Sequence, residues 1–132
     1  MQVVIISLIC SGLLLCACSS KSSDDNFKEG KWSITTKTEI EGSTALIPAR
    51  TSEHCLSAED RIPMRHDSQS GCTLLKQRVE GDTVSWQYEC AVSKGEGNVT
   101  FSGESLSGKM HMQMNALSIT STMTGEYIGP CE

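Results

Sequence analysis

The sequence predicts an all-β fold, an antiparallel meander of about seven strands that forms a small barrel or sandwich braced by disulfides. Three observations support this prediction. From Gly30 onward, apolar and polar residues alternate with a period of two over most of the chain. Turn-forming pairs such as Gly81-Asp82 separate the alternating segments at short intervals. No stretch after residue 20 has a sustained helical period.

The first strand has the clearest pattern. In residues 31–41, Trp32, Ile34 and every second residue after them form one face, and mostly charged or polar residues form the other. This alternation is typical of a strand that buries one side. Gly42-Ser43 is expected to end the strand.

The next segment is predicted to return beside the first strand. Residues 44–55 form this second strand, and Pro48 marks an edge or a bulge because it has no N–H to donate. Residues 57–60 have the pattern of the capped first turn of a short helix. The polar segment that follows, residues 61–71, is predicted to be a loop.

Residues 72–92 are predicted to form a β-hairpin with two possible registers. A two-residue turn places Leu75 and Val79 inward and leaves Cys72 diagonal to Cys90. A three-residue loop places the two cysteines opposite each other but turns two basic residues inward. Burial favours the two-residue turn, and a bulge would still allow the disulfide.

Three more strands complete the prediction. They cover residues 98–102, 106–114 and 117–128, and short polar turns at residues 103–105 and 115–116 separate them.

The N-terminus indicates export and lipidation. The first 17 residues are almost wholly apolar, too short to span a membrane but suited to a signal peptide. They end at Leu15-Cys16-Ala17-Cys18, which resembles the bacterial lipobox. We therefore expect a lipoprotein signal peptide at 1–17, lipidation of Cys18, a flexible lipidated tether at 18–29 and the all-β domain at 30–132. Ser19 after the anchor favours the outer membrane, with the domain facing the periplasm.

The remaining cysteines also indicate an oxidising compartment. Cleavage of the signal peptide removes Cys10 and Cys16, and acylation uses Cys18. An even number of four cysteines then remains in the small domain, which predicts two disulfides with three possible connectivities. We favour Cys72 with Cys90 and Cys55 with Cys131.

An ordered set of short motifs suggests a family. The motifs are Gly30-Lys31-Trp32, Cys55, Gly71-Cys72, GDTVSWQYEC, FSGESLSGKMHMQM and the closing Tyr127-Ile128-Gly129-Pro130-Cys131. Over residues 30–131 the chain resembles domain-of-unknown-function family 3617, small exported proteins of Gram-negative bacteria. The resemblance implies a four-cysteine framework, an envelope location and a mainly β domain. It carries no known activity, so it assigns no functional residue.

One segment has side chains that could bind copper. Met110, Met112 and Met114 share one face of a strand, and thioethers suit Cu(I). Methionines in this pattern are more often core side chains, and His111 points to the opposite face. We therefore predict that no metal and no other cofactor is bound, with these methionines as the residual candidates.

The remaining chemistry points away from catalysis. His54 and His66 have no ligand-like spacing, and no nucleophile or carboxylate pair has a catalytic pattern. The net charge of -5 argues against binding to nucleic acid. The aromatic residues Trp32, Trp86, Tyr88 and Phe101 could line a ligand cavity, but core filling is favoured.

These observations together predict a non-catalytic lipoprotein of the cell envelope. We expect it to be held at the membrane by its N-terminal lipid and to bind an envelope protein or a small apolar ligand. Two alternatives remain: an inhibitor or modulator of a secreted cationic enzyme, and a periplasmic Cu(I)-binding protein.

Overall fold

The computed structural model describes residues 26–64 and 71–132, which form a single antiparallel sheet of seven strands. The described residues contain no helix. The strands are β1 Gly30–Ile40, β2 Arg50–Leu56, β3 Cys72–Glu80, β4 Thr83–Cys90, β5 Lys94–Ser102, β6 Ser105–Met114 and β7 Leu117–Gly129. The predicted all-β, antiparallel, seven-stranded fold is therefore confirmed.

The strand order is β2-β1-β7-β6-β5-β4-β3. Strands β3 to β7 form a meander, and β7 then pairs with β1, which itself pairs with β2. Strands β2 and β3 thus lie at opposite edges, and the sheet does not close into a barrel.

The open sheet curls around its core. The rings of Trp32 in β1 and Phe101 in β5 are 5.5 Å apart, although two strands separate β1 from β5. Across a flat sheet these strands would be about 14 Å apart. The concave face therefore holds the core, whose buried residues are Trp32, Ile34, Leu56, Ile62, Val84, Trp86, Tyr88, Val99, Phe101, Leu106 and Met123.

A short segment before β1, which we name the strap (residues 26–29), closes one end of the core. The backbone and side-chain amides of Asn26 donate to the two carboxylate oxygens of Asp82, at 2.8 and 2.7 Å. The ring of Phe27 packs edge-on against Phe101 with centroids 4.8 Å apart. Residues 26–29 fall within the tether predicted at 18–29, and in the structure they contact the folded body.

Lys28 continues the strap across the same end. Its ammonium group lies 2.6 Å from a carboxylate oxygen of Glu104 and 4.1 Å from the ring centre of Tyr127. Its carbonyl accepts a hydrogen bond of 2.9 Å from Trp32 Nε1. The strap therefore provides the hydrogen-bond acceptor for the indole N–H of Trp32, whose side chain is fully buried.

Two predicted elements after β1 differ from the structure. Strand β2 begins at Arg50 rather than at residue 44, because its pairing with β1 stops where Arg50 faces Thr36. Residues 57–60 form a tight turn and not a helix: Ser57 Oγ accepts from the amide of Asp60 at 3.1 Å, as in a cap. The turn does not continue because Pro63 disfavours a helical conformation at the residue before it.

The β3–β4 hairpin combines features of both predicted registers. Near the turn, Glu80 faces Thr83, which is the two-residue turn that burial favoured. A bulge between Leu74 and Lys76 then shifts the register, and Cys72 comes directly opposite Cys90. Leu75 was predicted to face inward; this prediction is wrong, because Leu75 is the extra residue of the bulge and is exposed.

Each end of the sheet carries one disulfide. Cys72 bonds to Cys90 where β3 begins and β4 ends, and Cys55 of β2 bonds to Cys131 after β7. This is the pairing that we favoured from the sequence. The second disulfide ties the edge strand β2 to the C-terminus.

Candidate functional site

The two ends of the curled sheet differ in how they are covered. The strap covers one end through its contacts with Asp82 and Glu104, and Val79 and Ile128 are 49% and 47% exposed near that end. At the opposite end, the exposed apolar side chains are Leu46 at 98%, Val92 at 69% and Leu117 at 44%. We name these three residues the rim.

On the side of the core nearer the rim, β4 places two large aromatic rings on the concave face. Trp86 faces Gly97 of β5, and Tyr88 faces Gly95. A Cβ atom at Gly97 would lie 2.6 Å from Trp86 Cε2, and one at Gly95 would lie 2.7 Å from Tyr88 Oη. The two glycines are therefore required, because the rings occupy the space where side chains of β5 would stand.

Both aromatic residues bury a polar atom that has no partner. Trp86 and Tyr88 are each 2% exposed, and neither Trp86 Nε1 nor Tyr88 Oη makes a hydrogen bond to any described residue. Burial raises the pKa of Tyr88, so its hydroxyl stays protonated and can donate. Leaving such a group unpaired costs about 1–3 kcal/mol. The contrast with Trp32, whose indole donates to the strap, sets this part of the interior apart.

The neighbouring strands complete this region with uncharged side chains. On β6, Met110 lies beside Gly97 and Met112 beside Gly95. On β7, Ile119 pairs with Met112 and Ser121 pairs with Met110, so two rows of inner-face side chains cross the strands, one from Tyr88 and one from Trp86. Ser121 Oγ is hydrogen-bonded to Thr38 at 3.1 Å. Neither row carries a charged residue. We name Trp86, Tyr88, Met110, Met112 and Ile119 the open half of the concave face.

Comparison with known proteins now places the chain in a family. A family model described as a protein of unknown function, DUF3617, matches residues 27–131. The chain belongs to the DUF3617 family. The DUF3617 match extends from the strap to Cys131, so it contains the whole sheet and both disulfides. Neither the curated proteins nor the solved structures include a match.

The methionines of the DUF3617 domain lie where their spacing predicted. Met110, Met112 and Met114 are all half-buried on the concave face. His111 lies on the outer face, within 3.3 Å of Thr120 Oγ1. Among residues 26–64 and 71–132, no cluster of three or more His, Cys, Asp or Glu is arranged to hold a metal.

The two histidines within the described residues lie on different strands, His54 on β2 and His111 on β6. His54 lies half-buried on β2, its Nε2 2.9 Å from Ser52 Oγ, and desolvation lowers its pKa. His66, Cys18 and the predicted signal peptide lie outside the described residues. Within the described part of the chain, no helix is long and apolar enough to cross a membrane.

The outer face of the DUF3617 domain is mostly polar. One row of hydroxyl residues runs across six strands, from Thr83 through Thr100, Ser107, Thr124 and Thr35 to Thr51. The two end pairs are hydrogen-bonded at 2.8 Å. Beside this row, a shallow depression of about 480 Å³ is lined by charged residues that include Lys76, Glu96 and Lys109, together with Trp86 and Met110. This face is suited to solvent and stabilises the sheet through its cross-strand pairs.

The four aromatic residues singled out in the sequence divide into two groups. Trp32 and Phe101 pack together under the strap, whereas Trp86 and Tyr88 lie in the open half. Period-two alternation placed all four on the inner face but does not report depth along the strand. The unpartnered donors were missed for the same reason. Gly95 and Gly97, two positions apart in an otherwise alternating strand, are the sequence signal for close packing there.

Proposed function

We propose that this protein is a non-catalytic lipoprotein of the cell envelope whose β domain binds an apolar ligand or an apolar group of a partner protein. The anchor is the lipid on Cys18, and the domain faces the periplasm from the outer membrane. The apolar run of residues 1–17 and the motif that ends at Cys18 support this location. The two disulfides fit an oxidising compartment.

The observation that carries the binding proposal is the difference between the two ends of the sheet. At the strap end the interior is closed and its indole is satisfied by Lys28. Toward the rim end two buried donors, Trp86 Nε1 and Tyr88 Oη, have no partner among the described residues, and Leu46 and Leu117 are exposed. The open half is therefore the part of the molecule best suited to receive a ligand.

A soluble form of the mature chain tests this proposal. All the described contacts and both disulfides lie within residues 26–132, so residues 18–132 with Cys18→Ser, exported behind a cleavable signal peptide, retain the whole folded body. We expect saturable fluorescence enhancement of the apolar dye N-phenyl-1-naphthylamine at one site. Paired changes Leu46→Ser and Leu117→Ser at the rim should weaken binding several-fold.

The matched control is Ile128→Ser. Ile128 is 47% exposed, close to the 44% of Leu117, but it stands at the strap end of the same strand, β7. Absence of dye binding, or equal weakening by the control, would contradict the proposed site.

The anchor is tested separately on the full chain. In a Gram-negative host, the N-terminal peptide is expected to begin at Cys18 with the mass of a diacylglyceryl group, and the protein should sediment with outer membranes. Cys18→Ala should abolish the modification. A soluble periplasmic chain that begins before Cys18 would contradict the lipoprotein proposal.

A second candidate function, Cu(I) binding, is favoured by one observation. Met110, Met112 and Met114 share the concave face and are only half-buried, so their thioethers remain accessible. The double change Met110→Leu/Met112→Leu keeps the side chains apolar and similar in volume. Unchanged thermal unfolding with lost Cu(I) affinity would support the metal, whereas lost stability and no measurable copper affinity in the wild type would assign the methionines to the core.

A further inference from the structure

We propose that the open half binds an acyl ester, with the ester carbonyl oxygen between Trp86 Nε1 and Tyr88 Oη and the acyl chain along the methionines toward the rim. This inference rests on the proposed function and names the ligand class of the same site. Three properties of the site carry it: the two donors, the lack of charge in their cross-strand rows on the inner face and the apolar path that leads away from them.

The two unpartnered atoms are donors, and their residues are neighbours on one face of β4. Indole nitrogen can only donate, and the Tyr88 hydroxyl is protonated. The residues stand on the same face of β4 two positions apart, which places their Cα atoms about 6.6 Å apart. A carbonyl oxygen has two lone pairs and can accept from both. The ligand atom that fits between them is therefore an oxygen acceptor with no proton of its own.

The surroundings favour a neutral acceptor over a carboxylate. The row of Trp86 continues through Gly97, Met110 and Ser121 and contains no cationic side chain. The row of Tyr88 is equally uncharged. A buried carboxylate without a cation would carry a large desolvation penalty. An ester carbonyl supplies the same two lone pairs without the charge.

The rest of the ligand is expected to be an unbranched apolar chain. Met110, Met112 and Met114 are half-buried in line on β6 and end beside Leu117 of the rim. Four residues of strand extend about 13 Å, enough for a medium-length acyl chain. Methionine side chains are flexible and repack readily around an apolar guest. The path therefore leads from the two donors to the exposed rim.

Dye displacement with ligands of one chain length tests this assignment. The soluble mature chain is loaded with N-phenyl-1-naphthylamine and titrated with methyl decanoate, sodium decanoate at pH 8 or decane. We expect methyl decanoate to displace the dye at roughly tenfold lower concentration than decane, since one to two net hydrogen bonds separate them. The decanoate anion should be weaker than the ester.

Two tyrosine variants identify the donors. Tyr88→Phe should bring the ester and the alkane close to equal potency, whereas Tyr127→Phe at the strap end should leave their ratio unchanged. Circular dichroism melting confirms that each variant is folded, and Trp86→Phe provides a second removal of a donor. Displacement by dihexanoyl phosphatidylethanolamine as well assigns a membrane phospholipid as the source, and displacement by methyl decanoate alone assigns a free ester.

The outcomes separate this inference from the function on which it rests. If the dye binds but ester and alkane displace it equally, or if Tyr88→Phe keeps the ester preference, the ester assignment is refuted and the apolar site stands. If the dye does not bind at all, the proposed function fails first.

Discussion

Replacing Tyr88 by phenylalanine removes a single oxygen atom from the interior and is expected to stabilise the ligand-free domain. The Tyr88 side chain is 2% exposed and its hydroxyl has no partner among the described residues, whereas in the unfolded chain water satisfies that hydroxyl. Folding therefore removes a hydrogen bond without replacing it. The phenylalanine ring keeps the packing above Gly95.

The size of the effect follows from that unpaired group. A buried hydroxyl without a partner costs about 1–3 kcal/mol. We expect Tyr88→Phe to raise the free energy of unfolding by about 1–2 kcal/mol, which corresponds to an increase in Tm of about 4–8 °C per kcal/mol in a domain of this size. Urea unfolding of the soluble mature chain, followed by tryptophan fluorescence without added lipid, measures the difference.

The matched control is Tyr127→Phe. Tyr127 is half-buried, and its ring packs edge-on against Trp32 at 5.7 Å, a contact that phenylalanine preserves. We expect a change within about 0.5 kcal/mol. If Tyr88→Phe instead lowered the free energy of unfolding by about 1 kcal/mol or more, the hydroxyl would have a partner in the folded protein. The reasoning that makes it a free donor for a ligand would then be refuted.

Three further predictions concern packing, cross-linking and pH. Gly97→Ala should lower the free energy of unfolding by about 1–3 kcal/mol, because the new Cβ would lie 2.6 Å from Trp86 Cε2; an unchanged urea midpoint would contradict that packing. Cys55→Ser/Cys131→Ser opens a loop with a sequence separation of 76 and should cost about 4–5 kcal/mol, against about 3 for the shorter disulfide; equal costs would argue against the chain-entropy account. Because burial lowers the pKa of His54 from 6.5, the unfolded chain binds more protons just below that pH, so stability should fall as pH drops through this range. His54→Gln should flatten the pH profile of the urea midpoint between about pH 5 and 7.

The sequence pattern predicted the fold better than it predicted the site. Alternation placed Trp32, Trp86 and Tyr88 on the inner face because side chains of a strand point to opposite sides with a period of two. The same pattern could not place the bulge at Leu75, which depends on competition between a two-residue turn and the direct opposition of two cysteines. One extra residue sufficed to move Leu75 from the core to the surface.

Features that depend on distant contacts had no local signal. The strap is a short polar segment without periodicity, and Phe27 becomes part of the core only because the sheet curls Phe101 toward it. The open half likewise depends on which end of the sheet the strap covers. Alternation shows which face of the sheet a residue lies on, but not how far that residue lies from the end that the strap covers. The unpartnered donors of Trp86 and Tyr88 could therefore be found only in the folded chain.

The strap also determines how the molecule would stand on a surface. With Cys18 acylated as we propose, eight residues connect the lipid to Asn26, a leash of at most about 28 Å. Since Asn26 is bound to the turn that contains Asp82, the leash leaves the body at that end, and the rim stands about 33 Å further out along β1. In an upright molecule the rim end of the sheet faces the aqueous compartment and points away from the anchoring bilayer. The ligand would then arrive from that compartment or from a carrier protein within it. The length of the segment between Cys18 and Asn26 sets the greatest distance from the bilayer at which such a carrier could meet the rim.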